Sequence, residues 1–148
     1  MDKGLAVAVA AVVGGLVGMQ APANAILGRA VGSLPAAAFS LVVSTLLLVA
    51  LLALTGEGTG DLGRIRGLPW YAVIGGGLIG AAYVASSLVT VQALGAGSLT
   101  ALTIAGQLTI AVVIDHFGLL HLTRVPLTAT KLLGVALLAA GTYLIIRD

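Results

Sequence analysis

Apolar residues fill the chain in five long stretches, each close to the roughly 20 residues that a helix needs to cross a bilayer. The spans expected from this pattern are about 4–27, 35–54, 69–92, 98–118 and 126–146. A turn carrying Arg29, Gly32 and Ser33 separates the first two. A Gly-rich loop with Glu57, Asp61, Arg64 and Arg66 follows the second. From Gly67 to Ile114 no charged residue occurs, about twice the length of one span. The break inside that tract is expected at Leu94-Gly95-Ala96-Gly97-Ser98, where glycine ends one helix and Ser98 caps the next. Trp70 and Tyr71 suit the membrane interface at the start of the third span, and Lys131 lies near enough to the end of the fifth to snorkel. The pattern therefore predicts an all-α membrane protein, with five transmembrane helices in a single domain covering 1–148.

Composition supports this reading. Of the 148 residues, 59% are hydrophobic and 8% charged, against about a quarter charged in soluble domains. Aromatics make up 4% and glycine numbers 21, a balance that lets helix backbones approach closely in lipid. The absence of cysteine excludes disulfide and thiol chemistry. The net charge of +2 comes from scattered loop residues and gives no nucleic-acid patch. The first apolar run stays uncharged from Gly4 to Gly28, longer than a secretory signal core, and reads as a retained span. With five spans, Lys3, Arg64, Arg66, Arg124 and Lys131 share one side against Arg29 and Arg147 on the other, which favours a cytoplasmic N-terminus.

Polar groups in hydrocarbon need partners, so those that remain are candidates for function. Gln20 and Asn24 share one face of the first span, with Pro22 between them expected to loosen the helix and free carbonyls beside the amides. They line a polar cavity, or they join helices by hydrogen bonds. Gly14, Gly18, Ala21 and Ala25 form an adjacent small-residue face. Gln107 lies near the midplane in the fourth span, where transporter sites gather. Tyr83, Ser86, Ser87 and Thr90 lie on the third span, and the hydroxyls of the last three can bond to their own helix instead. Asp115 is the one carboxylate near a span's interior. It reads either as a titrating transport group or as an ion-pair partner of Arg124, Lys131 or Arg64. His116 and His121 lack a third ligand for a metal, and no cofactor is called for. No GxSxG, HExxH or P-loop motif occurs, and neighbouring Asp115 and His116 diverge on a helix, so an enzyme is not expected. Gly14-Gly15-Leu16-Val17-Gly18 recurs as Gly76-Gly77-Leu78-Ile79-Gly80. The recurrence marks either a duplicated helix pair or two close-packing faces of GxxxG type.

Several motifs together resemble the YdcZ-like inner-membrane proteins of bacteria. They are Gln20-Ala-Pro-Ala-Asn24-Ala-Ile-Leu-Gly28-Arg29-Ala-Val-Gly32-Ser33 with Pro35-Ala36-Ala37, Pro69-Trp70-Tyr71 before Gly75-Gly76-Gly77, and Ala105-Gly106-Gln107 before Ile114-Asp115-His116-Phe117-Gly118. The resemblance implies the drug/metabolite transporter superfamily, beside the small multidrug resistance proteins. It also implies an antiparallel dimer, formed with a second copy or with an opposite-orientation paralogue. Gln20, Asn24, Arg29, Gln107 and Asp115 fall in the family's recurrent motifs. Small multidrug resistance proteins carry a glutamate in their first helix, whereas this chain has only the amides there. An amide cannot exchange a proton for a cation, so that mechanism does not carry over.

The expected function is a small-molecule transporter of the inner membrane, an exporter whose cavity is lined by the first four spans. Arg29 and Asp115 are expected to pair across the inverted dimer as gates. Two alternatives stand beside it: a dual-topology ion channel and a non-transporting accessory subunit. The phenylalanines that line fluoride-channel pores have only Phe39 and Phe117 as counterparts here.

Overall fold

The computed structural model describes residues 2–56, 60 and 62–147. Glu57 and Asp61 of the expected loop lie outside the described residues, as do Asp148 and the side chain of His121. Among the described residues every regular element is helical: α1 (Lys3–Val31), α2 (Ser33–Thr55), α3 (Trp70–Phe117) and α4 (Ala129–Arg147), with short 3-10 turns at Leu62–Gly67 and Leu119–His121. All four α-helices are long and apolar enough to cross a membrane. Their large side chains point mostly outward, Leu46, Leu47 and Leu48 among them. That arrangement is the reverse of a water-soluble surface and suits one bathed in lipid tails.

Helix α1 begins at Asp2, whose carboxylate accepts a hydrogen bond from the Gly4 N–H at 3.2 Å, satisfying one of the free donors of the first turn. It runs unbroken through Pro22. Pro22 removes the donor that would serve the Gly18 carbonyl, and the helix continues through it. Nor does α1 stop near residue 27. It continues through Arg29 to Val31, because nothing before Gly32 breaks it and a cation in the last turn favours the helix dipole. The turn is then Gly32 alone, with φ 93° and ψ 152°, its N–H donating to the Gly28 carbonyl at 2.9 Å. A side chain at that φ would be strained. Pro35 falls in the first turn of α2, where a missing N–H costs nothing.

Helix α3 has 48 residues, about 72 Å of helix and more than twice the hydrocarbon thickness. Its geometry breaks at Gly95, with φ 77° and ψ 165°, dividing it into arms 70–94 and 96–117. The break falls within the expected tract. Ser98, however, lies inside the second arm and does not cap it. Helix α4 begins at Ala129, later than the expected Pro126. Thr128 is the cap: its hydroxyl accepts from the Lys131 N–H at 3.2 Å, and its carbonyl accepts from the Leu132 N–H at 3.0 Å.

The chain forms two compact units, Met1–Gln92 and Ala93–Asp148. In the first, the end of α1 (Ala21, Ala25, Gly28) is buried, and so is the start of α2 (Ala36, Ala37). Val84 and Leu88 of the first α3 arm complete the core, with Leu27, Leu41 and Tyr83 partly buried around it. Gly28 permits this approach. A Cβ there would lie 3.3 Å from Leu88 Cδ2 and 3.9 Å from Ala36 Cβ. In the second unit, the arm 96–117 and α4 form an antiparallel hairpin. The buried Thr142 hydroxyl bridges it by donating to the Ala101 carbonyl at 3.3 Å.

Candidate transport-site residues

The amides expected to matter are held by α1. Gln20 and Asn24 are both half-buried one helical turn apart, beside the buried Ala21 and Ala25. Small neighbours bring α2 close at this level. The consequence falls on Asn24: its Nδ2 is buried and has no hydrogen-bond partner among the described residues. Leaving such a donor unmade costs about 1–3 kcal/mol, and more where no water is at hand. The expectation that Pro22 would supply freed carbonyls to these amides is not met for Nδ2.

The first α3 arm carries the other candidates of this unit. Tyr83 is half-buried against the Ala36–Leu88 core. The Ser86 hydroxyl donates to the Ala82 carbonyl at 2.7 Å, Ser87 to Val84 at 2.9 Å and Thr90 to Ser86 at 2.8 Å. Each hydroxyl is therefore satisfied by its own helix. Gln92 behaves likewise, its Nε2 donating to the Leu88 carbonyl at 2.8 Å. Arg29 is exposed in the last turn of α1.

In the second unit Gln107 is exposed on the arm 96–117, while Asp115 and His116 are half-buried at its end. The loop that follows folds back over that end. The Asp115 carbonyl accepts from the Val125 N–H at 2.8 Å, the His116 carbonyl from Arg124 Nε at 2.9 Å, and His116 Nδ1 from the Leu127 N–H at 3.3 Å. The carbonyls that a helix end leaves open are thereby satisfied. To accept from Leu127, Nδ1 must be unprotonated, which puts the ring proton on Nε2. Gly118 takes the left-handed conformation at φ 62° that lets the chain turn back. This role of His116 is not legible in the sequence, because the loop contacts that define it are not periodic.

The ion pair expected for Asp115 does not form with Arg124 or Lys131 among the described residues, and Arg124 is engaged with the helix end instead. Asp115 and Lys131 nonetheless line one recess, together with Leu108, Ala111, Val112, Gly134 and Val135. A second, larger cleft of about 560 Å³ lies farther along the same hairpin, lined by Gly97, Thr100, Ala101, Leu138, Gly141 and Thr142 among others. Its walls are almost wholly apolar. The paired glycine motifs stay open: a Cβ at Gly14, Gly18, Gly76 or Gly80 would meet nothing within 4 Å. Among the described residues of one chain they are not packing faces.

A family model described as "Putative inner membrane exporter, YdcZ" matches residues 5–144. No curated protein and no solved structure matches the chain.

Proposed function

The chain belongs to the YdcZ inner membrane exporter family, and from that premise we propose that it exports a small molecule as an antiparallel dimer with five spans per chain. The membrane location and the transporter class follow from the family and from the apolar helices. The five-span count rests on the length of α3 and its break at Gly95, since each arm is long enough for one crossing. The first four spans line the cavity, with Gln20, Asn24, Tyr83, Ser86 and Gln107 facing the substrate. Arg29 and Asp115 pair across the dimer and gate it.

The observation that carries the reading is the unpartnered Asn24 amide. A buried donor without an acceptor is destabilising, and it is the kind of group a binding site keeps free for an acceptor on its ligand or on a second chain. The test is flux in liposomes containing only this chain, loaded with a mixed pool of small metabolites and read by mass spectrometry of the external medium. Saturable efflux that Asn24→Ala abolishes and Ser87→Ala leaves in place is the expected result. Ohmic current without saturation would assign the chain to the channels. No flux from the purified chain would return it to the accessory subunits.

A further inference from the structure

We propose that the recess at the loop end of the second hairpin binds a small amphiphilic zwitterion, with its primary ammonium on Asp115, its anionic group on Lys131 and its apolar part against Leu108, Val112 and Val135. The site lies apart from the cavity proposed above but shares Asp115 with the proposed gate, so a bound ammonium takes the place there of Arg29 from the second copy.

The antiparallel register places the two charges at one end. Asp115 lies two residues before the end of α3, Lys131 lies in the first turn of α4, and the apolar wall extends from both toward the Ala101–Thr142 bridge. Asp115 and Lys131 thus line the recess at the loop end of the hairpin, and the rest of its wall is apolar. Its volume of about 290 Å³ is at the small end of ligand sites. Gly134 keeps one wall low, since a Cβ there would meet nothing within 4 Å.

Charge argues for the ligand class. Both side chains are half-buried, where an unpaired charge is costly. Yet they do not close on each other within the chain. A ligand with only one charge would serve one group and leave the other unpaired. A zwitterion with neighbouring ammonium and anionic groups serves both. A quaternary ammonium would not, because it has no N–H to donate to the carboxylate. Two sources supply this chemistry: the headgroup of phosphatidylethanolamine and a free amino acid with an apolar side chain.

The test is calorimetric titration of the delipidated full chain in detergent with dihexanoyl phosphatidylethanolamine and, separately, with L-leucine. Binding of the first alone assigns the site to lipid. Binding of leucine, alone or with the lipid, assigns it to free zwitterions. For whichever probe binds, analogues lacking one charge or its N–H groups should bind at least about tenfold more weakly. These are dihexanoyl phosphatidylcholine and phosphatidylglycerol for the lipid, and leucinamide and N-acetyl-leucine for the amino acid. Because the deletions are made in the ligand, the result does not depend on a variant folding. Asp115→Asn and Lys131→Met should each weaken the parent probe by a similar factor of about ten. The proposal is overturned if neither probe binds, if the single-charge analogues bind as well as the parent, or if both variants keep full affinity.

Discussion

The two units, Met1–Gln92 and Ala93–Asp148, solve the same problem in different ways. Lipid tails are as apolar as leucine, so helices in a membrane gain little from hiding apolar surface and must gain from contact or from hydrogen bonds. The first unit uses contact. Ala21, Ala25, Gly28, Ala36 and Ala37 let three helical segments close around Leu88, which is fully buried. The second unit uses hydrogen bonds. One threonine bridges the hairpin, and a loop with three bonds to Asp115 and His116 ties its end, while wide apolar clefts stay open along it. Tight contact there leaves the buried Asn24 amide without a partner in the chain. Hydrogen-bonded ends tolerate gaps, and those gaps are where a ligand can enter.

The comparison breaks most visibly at Leu88. Leu88→Ala should lower stability in detergent by roughly 2 kcal/mol, the low end for a buried leucine, because lipid removes the transfer contribution while the cavity remains. Thermal unfolding of the purified chain reads this directly. Limited proteolysis should then show cutting between α1 and α2 before cutting in the 118–128 loop. The reverse order would mean that the small-residue core is not what holds the first unit.

Asn24 sharpens the contrast in the opposite direction. Replacing it with leucine removes an unmet donor and keeps the branching at Cγ, so Asn24→Leu should raise stability by about 1 kcal/mol while abolishing efflux. A variant that is both less stable and inactive would mean that the amide has a structural partner, and its candidacy as a ligand contact would fall.

The limits of the sequence as a guide follow the same division. The long uncharged tracts were legible because each span needs its own length of apolar residues. The Gly95 break was legible because no helix of 48 residues fits one crossing. The end of α1 was not, since Arg29, Ala30 and Val31 carry no stop signal and the helix runs on until Gly32 turns the chain. The start of α4 was misplaced because Pro126 stood out more than Thr128, whose capping role depends on where its hydroxyl points. Gln20 and Asn24 looked equivalent on one face. Which of them is orphaned depends on how near the neighbouring helices come, and Gly28 sets that distance from a full turn away. The loop bonds to His116 join residues 8 and 11 apart in sequence, and no helical or strand pattern marks them.

The smallest expected effect bears on whether hydrogen bonds hold the second unit at all. Thr142 is 6% exposed and joins the hairpin through one hydroxyl–carbonyl bond to Ala101. Thr142→Val keeps the shape and deletes the donor. The Ala101 carbonyl still accepts its own helical bond, so little is left unmet, and in membranes such interhelical bonds are worth about 0.6 kcal/mol on average. The expected loss is therefore about that size, close to the limit of a thermal shift, and a double-mutant cycle isolates it better. Pairing Thr142→Val with Leu138→Ala, which widens the neighbouring cleft, should give a coupling near zero if the bond acts alone. A coupling above about 1 kcal/mol would show that contact and hydrogen bond act together here too. The two units would then differ in degree, not in kind.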